Sequence, residues 1–295
     1  GAWLGRIPGR LGILAVASAT LFSTLSGSSM ATTAMLGTVL VPDMEKHGYK
    51  KPMSIGPVIG SGGLAMIIPP SSMAVLLASL ARISVGKLLI SGIVPGLIIA
   101  FFYLVYIIGR CLIQPSIAPS YSTSSTPLGD KLRSTVYYVL PLGILIFLVI
   151  GLIFMGVATP SEAAATGSLG SIILVAIYRK LNWKVIKVSV MATVKITVMV
   201  FIILTGSTAF SQILAFSGAS AGLIETVSGL SIAPILLLVT MLAVVTMLGC
   251  FMDQYSIMMI TLPIFMPIVS LLSFNTIWVG LLMLIVMEMA DTTPP

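Results

Sequence analysis

The chain is poor in charge: Asp, Glu, Lys and Arg together make up 8% of its 295 residues. A soluble domain of this length carries roughly three times that fraction, so an ordinary water-soluble globular protein is excluded. Histidine occurs once, as His47 in a basic turn. That rules out a His-Glu-x-x-His zinc site and leaves serine–histidine hydrolysis one peripheral residue to draw on. The two cysteines, Cys111 and Cys250, lie in or beside apolar segments and offer neither a disulfide framework nor metal spacing. Gly86-Lys87 has no Ser or Thr after it and no glycine-rich loop before it, so it is not a phosphate-binding loop. The expectation is a protein that is not an enzyme. Basic residues are also missing from the last third, with none after Lys195. The net charge of +7 therefore comes mostly from turns between apolar segments and does not indicate nucleic-acid binding.

Apolar residues are what the chain has in quantity. They make up 58% of it, and mean hydropathy is +1.15. Several runs exceed the spanning threshold of about 18 residues, which reads as an all-α polytopic membrane protein. The chain starts at Gly1 without Met, and no signal peptide is expected in it.

The stretch from Ser26 to Ser71 organises the rest. Leu11 to Leu25 is apolar but spans only roughly 22 Å as a helix, against about 30 Å of hydrocarbon. Met30 to Val41 is shorter still, and Ser26-Gly27-Ser28-Ser29 separates the two. Short arms meeting at a Gly/Ser tip read as a re-entrant hairpin; the alternative is a kinked ordinary helix with a loose loop. Irregular backbone at membrane depth is tolerated only where it is buried in protein or lines a wet cavity, so the tip is expected to line a site. Arg6 and Arg10 precede the hairpin, and Lys46, Lys50 and Lys51 follow it, which puts both ends in the cytoplasm. A further apolar run from Met53 is interrupted at Ile67-Ile68-Pro69-Pro70-Ser71.

The same punctuation returns 225 residues later, with Pro42, Pro69 and Pro70 matched by Pro267, Pro294 and Pro295. The tip Gly27-Ser28-Ser29 maps to Met252-Asp253-Gln254, flanked by the short apolar arms Ile235 to Cys250 and Ile257 to Val269. With no cation around it, this second hairpin is expected to enter from the opposite face. The pattern is that of an inverted-topology repeat, with substrate and ion sites where the broken helices meet. The repeat calls for a further half-helix after Pro295, so the chain is expected to be truncated at both ends.

Between the hairpins, Ser71 to Ala81 completes the broken crossing and Leu88 to Ile113 returns inward; Arg82 and Lys87 outside break the charge rule locally. Residues 114–133, rich in Ser, Thr and Pro, form a cytoplasmic linker ending at Lys131 and Arg133. Val136 to Met155 crosses outward. Thr159-Pro160-Ser161-Glu162 reads as a capping box, which explains Glu162 without a catalytic role. Ala163 to Tyr178 returns to Arg179, Lys180, Lys184 and Lys187, and Met191 to Phe216 crosses outward again, with Lys195 able to snorkel. Ala219 to Leu230 is a short amphipathic arm at the interface, and Ile277 to Ala290 descends towards the terminal Pro-Pro.

Charged groups at membrane depth are costly and mark candidate sites. Asp253 lies at the second tip, with Glu288 and Asp291 before the terminal break, while the first tip offers hydroxyls. Oxygen ligands with carbonyls freed at helix breaks suit a hard cation such as Na⁺. The candidate cation ligands are Ser28, Asp253, Glu288 and Thr292, with the backbone at Gly62, Pro69 and Gly249. Freed amides at half-helix N-termini hold an anion, and the candidate substrate-binding residues are Ser28, Ser29, Thr32, Ser71, Thr292 and Thr293. For Asp253 the competing reading is a helix cap, and for Glu288 a carboxylate bonded between helices.

Taken together, these motifs resemble the large membrane subunit of TRAP transporters, the tripartite ATP-independent periplasmic family. The matching stretches are Ser26 to Ala34, Pro42 to Tyr49, Ile67 to Ser71, Gly86-Lys87-Leu88 with Gly92-Ile93-Val94-Pro95-Gly96, Ala158 to Ala165, Phe251-Met252-Asp253 and Thr293-Pro294-Pro295. The resemblance covers essentially the whole chain. It departs at Gln254, where the family usually has Pro, and lacks the family's first helices and last helix. It implies a Na⁺-driven importer of organic acids, C4-dicarboxylate or sialic acid in type, in the bacterial inner membrane. A periplasmic binding protein would deliver the substrate, and a small membrane subunit would accompany the large one. It also implies an elevator, with residues 1–113 and 232–295 carrying the hairpins and broken helices of the transport domain. Residues 134–216 would be mainly scaffold, and 217–231 an interfacial arm. The competing readings are a stand-alone Na⁺/carboxylate symporter and, from another class, a channel.

Overall fold

The computed structural model describes residues 9–119, 127–229 and 232–291, and these are helical with no strand. Arg6, Thr292, Thr293, Pro294 and Pro295, and the side chains of Lys131 and Asp291, lie outside the described residues. The first elements are α1 (Arg10–Ser26), α2 (Ser29–Lys46), α3 (Lys51–Gly62), α4 (Leu64–Ile67), α5 (Ser72–Leu80) and α6 (Val85–Ile113). Gly27 ends α1 in the left-handed region at φ 59°, its N–H donating to the Ser23 carbonyl, and Ser28 caps α2.

α2 runs longer than the apolar arm to Val41 that the sequence indicates. Pro42 sits inside it, because a helical proline removes only one backbone hydrogen bond near the polar last turn. The break after α4 is as expected: Ile68 turns extended and Pro69-Pro70, joined by a cis bond, supplies no N–H to continue the ladder.

Beyond the linker, an apolar helical stretch covers Thr135–Phe154, with two π-helical turns at Thr135–Val139 and Phe147–Gly151. Pro160–Ile177 follows, opened by the expected capping box: the Thr159 N–H and hydroxyl donate to Glu162 at 2.8 Å each, and the Glu162 N–H returns to the Thr159 hydroxyl at 3.3 Å. Trp183–Phe216 is one continuous helix of 34 residues, where the sequence indicates a crossing from Met191. At roughly 51 Å it outruns the hydrocarbon, so the turns carrying Lys184 and Lys187 reach beyond the apolar layer. Asn182 caps it, accepting from the Val185 N–H at 2.9 Å. Ala219–Gly229 matches the expected short arm.

The second hairpin has arms Pro234–Gly249 and Gln254–Leu271, followed by Thr276–Asp291. Its helix bounds echo the first. α2 and Gln254–Leu271 start 225 residues apart and end 225 apart (29 to 254, 46 to 271), and α3 and Thr276–Asp291 also start 225 apart (51 to 276). Among the described residues five helices are individually long and apolar enough to cross a membrane, and the pair broken at Pro69-Pro70 would make a sixth if it is one span. Gln254–Leu271 is one of the five, longer and more uniformly apolar than a half-length arm requires. Large apolar side chains stand exposed along several of these helices, such as Phe101 and Phe102 at 61% and 62%, and Phe201 and Ile202 on Trp183–Phe216. Such surface is stable only against lipid or protein. This is a multi-pass membrane protein.

The chain divides into two compact units. One holds the described residues to Ser72 together with Gly92–Leu174, and the other Met73–Ser91 with Val175 onward. The first unit's core is built from Leu11, Val16 and Ala19 of α1, Leu36, Leu40 and Met44 of α2, and Met53, Val58 and Ile107 of α3 and α6. In the second, Ser207 of the long helix donates to the Met259 carbonyl at 3.4 Å. Pro263 deprives that carbonyl of its usual helical N–H, so the hydroxyl replaces a lost backbone bond.

Candidate functional site

The first tip is fastened to the first helix break. The Gly27 carbonyl accepts both the Ser72 N–H at 3.2 Å and the Ser72 hydroxyl at 2.7 Å, across 45 residues of chain. A Cβ on Gly27 would lie 2.6 Å from the Pro70 carbonyl oxygen, so only glycine permits this approach. Inside the tip, the Thr32 hydroxyl donates to the Ser28 carbonyl at 2.9 Å and lies 2.9 Å from the Ser26 hydroxyl, while the Ser28 hydroxyl accepts from the Ala31 N–H at 3.4 Å. Thr32 and Ser71 are fully buried and Ser29 nearly so. Of the predicted substrate residues, Ser28 and Thr32 thus share one hydroxyl and carbonyl cluster with Ser26 at the tip, while Ser29 and Ser71 are buried next in the chain to Ser28 and Ser72. Ser72 fastens the break to this tip; its reach to Gly27 has no sequence signal beyond adjacency to the break.

The glycines around this break are contact points. A Cβ on Gly92 of α6 would fall 2.2 Å from the Ile67 carbonyl oxygen, and one on Gly96 would fall 2.5 Å from the Ile68 side chain. The irregular backbone therefore beds directly into a glycine groove on α6. Gly62 likewise has Thr33 Oγ1 1.9 Å from where its Cβ would be, so α2 and α3 cross there almost in backbone contact.

The second tip is built on Asp253. It caps Gln254–Leu271, with one carboxylate oxygen accepting from the Tyr255 and Ser256 N–H groups at 3.1 and 3.2 Å. The other accepts from the Ser256 hydroxyl at 2.5 Å. The capping reading of Asp253 is therefore realised, and its exposed carboxylate keeps acceptor capacity beyond these bonds. Gln254 beside it is buried at 4% exposure, and its amide nitrogen has no hydrogen-bond partner. Glu288 is buried at 7%. Gly249 packs against Ala290, whose Cβ lies 2.1 Å from where a Gly249 Cβ would sit. Thr292 and Thr293 fall outside the described residues, so the second cluster is seen without them.

No group of three or more His, Cys, Asp or Glu comes together among the described residues. A cation at either tip would draw on hydroxyl and carbonyl oxygens with at most a lone carboxylate, a donor set suited to a hard alkali ion.

Over residues 1–295 the chain matches the DctM component of the tripartite ATP-independent periplasmic transporters. It belongs to that family. It is 33% identical over 297 residues to the C4-dicarboxylate TRAP transporter large permease protein DctM of Pseudomonas aeruginosa, covering all of this chain and 68% of that protein. The ectoine TRAP transporter large permease protein TeaC of Halomonas elongata is 29% identical, with the same coverage. The isethionate TRAP transporter permease protein DctMQ of Oleidesulfovibrio alaskensis is 27% identical over 99% of this chain and 46% of its own length. This TRAP permease subunit is therefore a transport protein and not an enzyme.

Elsewhere in the TRAP permease, the second unit holds a cavity of about 740 Å³ lined by Arg82, Ser207, Ser211, Gln212, Pro263 and Pro267. Arg82, which breaks the charge rule in the sequence, is among the residues on that wall.

Proposed function

We propose that this subunit couples Na⁺ to the import of organic acid anions, of the C4-dicarboxylate or sialic acid type, across the bacterial inner membrane. A periplasmic binding protein hands over the substrate, and a small membrane subunit completes the transporter. The observation that carries this reading is the first tip. A glycine carbonyl held by Ser72 fixes a buried, hydroxyl-rich break in the helices, which is where a transporter of broken helices places its ion and substrate. The 225-residue recurrence of helix bounds supports an inverted repeat, with the two hairpins in the mobile domain of an elevator. Na⁺ is cargo here, held by oxygens at Ser28 and Pro69 around the first tip and by Asp253 at the second, with Glu288 a further candidate ligand. The anion is held by helix N-termini and hydroxyls, because no Lys or Arg occurs at either tip.

The C4-dicarboxylate relative supports the substrate class, and the compound name DctMQ supports a second membrane component. The ectoine relative supports a second reading, in which the cargo carries a single carboxylate. Uptake by proteoliposomes holding both membrane subunits tests the proposal. The expected result is saturable accumulation of succinate, sialic acid or ectoine that requires a Na⁺ gradient and the loaded cognate binding protein. Na⁺-dependent uptake without the binding protein would make this a stand-alone symporter. Non-saturable flux indifferent to Na⁺ would make it a channel. Either result overturns the proposal.

A further inference from the structure

The first unit carries a cavity far from both tips in sequence, and we propose that it holds the headgroup of an anionic phospholipid. It measures about 420 Å³ and lies between α3 and α6, lined among others by Lys50, Met53, Tyr103, Tyr106, Arg110 and Gln114. Lys50 caps the start of α3, and its N–H donates to the Ile117 carbonyl at 2.9 Å, tying this turn to the chain just past the end of α6. Arg110 stands in the last turn of α6. Two cations therefore face one cavity from two elements fastened to each other. Among the described residues no acidic side chain lines it, so the pair is not there to balance a carboxylate of that wall.

The surroundings select lipid over a soluble anion. Apart from the two cations, Gln114 and the tyrosine hydroxyls, the wall is apolar, including Met53, Pro57 and Ile107. Tyr106, which lines the cavity, is 65% exposed, and Phe102, one turn before it on α6, is 62% exposed, so apolar surface adjoins the cavity on this helix. α6 is predominantly apolar over its 29 residues and is long enough to cross the bilayer, so Phe102 lies in hydrocarbon and Arg110 near the helix end lies at the interface. Basic pockets between transmembrane helices at that depth bind anionic headgroups. An acyl chain lies against Phe102 and Tyr106, the phosphate sits between Lys50 and Arg110, and the tyrosine rings occupy the interfacial layer their amphipathic character favours. A soluble anion would leave the apolar surface at Phe102 and Tyr106 bare, while a zwitterionic lipid would bring its own cation against the two basic side chains.

The test uses the full-length subunit in its native complex, purified and delipidated in detergent. Native mass spectrometry follows retention of cardiolipin or phosphatidylglycerol, with phosphatidylcholine as the zwitterionic control. Each basic residue near an anionic headgroup is worth about 1 kcal/mol, so Lys50→Gln with Arg110→Gln should weaken retention about thirtyfold, whereas Lys184→Gln with Lys187→Gln leaves it unchanged. A photo-crosslinking residue at Tyr106, with both cations intact, should capture anionic lipid and so does not depend on the double variant folding. Equal retention by the wild type and the Lys50/Arg110 variant overturns the site. So does equal retention of phosphatidylcholine. Displacement of the lipid by inorganic phosphate or glycerol phosphate at comparable concentration would assign the cavity to a soluble anion and also overturn it.

Discussion

Asp253 shows how one side chain can satisfy two readings. As a helix cap it accepts three hydrogen bonds from its own first turn, which is sufficient reason for an Asp at that position. As the only charged group at either tip, it is also the strongest candidate to balance a cation. Asp253→Asn separates the two roles, because Asn caps about as well as Asp but carries no charge. The expected outcome is a folded subunit within about 1 kcal/mol of wild-type stability. Its Na⁺ concentration for half-maximal uptake should rise about tenfold or more, equivalent to roughly 1.4 kcal/mol of lost ion binding. Stability by thermal unfolding in detergent and Na⁺ titration of uptake give the two numbers. Unchanged Na⁺ activation would leave Asp253 a cap only and move the cation towards Glu288, the other candidate carboxylate, which is buried. Gln254, next in the chain, is harder to read. A buried amide nitrogen without a partner costs stability in hydrocarbon, and the residue types around it in sequence give no sign of that burial.

At the level of elements, the sequence was most legible where the backbone itself is constrained. Gly27, Pro69-Pro70 and the Thr159–Glu162 box each demand a particular local geometry, and each stands where the residues predict. Helix lengths were less legible. Pro42 reads as a stop but is absorbed into α2, and the run before Met191 is polar enough to hide eight further helical residues from Trp183. Least legible were the glycine contacts, because they depend on which helices cross. Gly92 and Gly96 stand out in the sequence only as a family motif; the packing shows that they make room for the Ile67-Ile68 backbone. Gly92→Ala tests this against Gly109→Ala on the same helix, where an added Cβ meets nothing within 4 Å. The first should cost about 1–3 kcal/mol through overpacking and impair uptake, because it pushes on the break at the site. The second should be neutral or slightly stabilising, since Ala is the better helix former. Similar melting temperatures and uptake in the two variants would show that α6 does not hold the break in place.

For the whole molecule, charge and repetition make separate statements about topology, and the two agree. The 15 basic residues all precede Ile196, while the last hundred residues carry only Glu225, Asp253, Glu288 and Asp291 as charged groups. Under the positive-inside rule, the turn after the first hairpin is held in the cytoplasm and the turn after the second is free to lie outside. The 225-residue recurrence makes those two turns, around Lys46 and Leu271, equivalent positions of a repeat. Equivalent positions on opposite faces of the membrane are the signature of inversion, whereas a parallel repeat would put both on one face. If the broken pair is one span, the candidate crossings between the hairpins among the described residues number five: that pair, α6, Thr135–Phe154, Pro160–Ile177 and Trp183–Phe216. An odd number would carry the chain from the cytoplasm to the outside before the second hairpin begins, as the proposed inverted repeat requires. Lys46→Cys and Ser273→Cys, made in a chain with Cys111 and Cys250 replaced by Ser, report the outcome directly, since both positions are exposed turn or helix-end residues. A membrane-impermeant maleimide should label Ser273→Cys in right-side-out vesicles and Lys46→Cys only in inverted ones. Labelling of both from one face would mean an even number of crossings. Gln254–Leu271 would then have to be counted as a full span, and the inverted repeat would be given up.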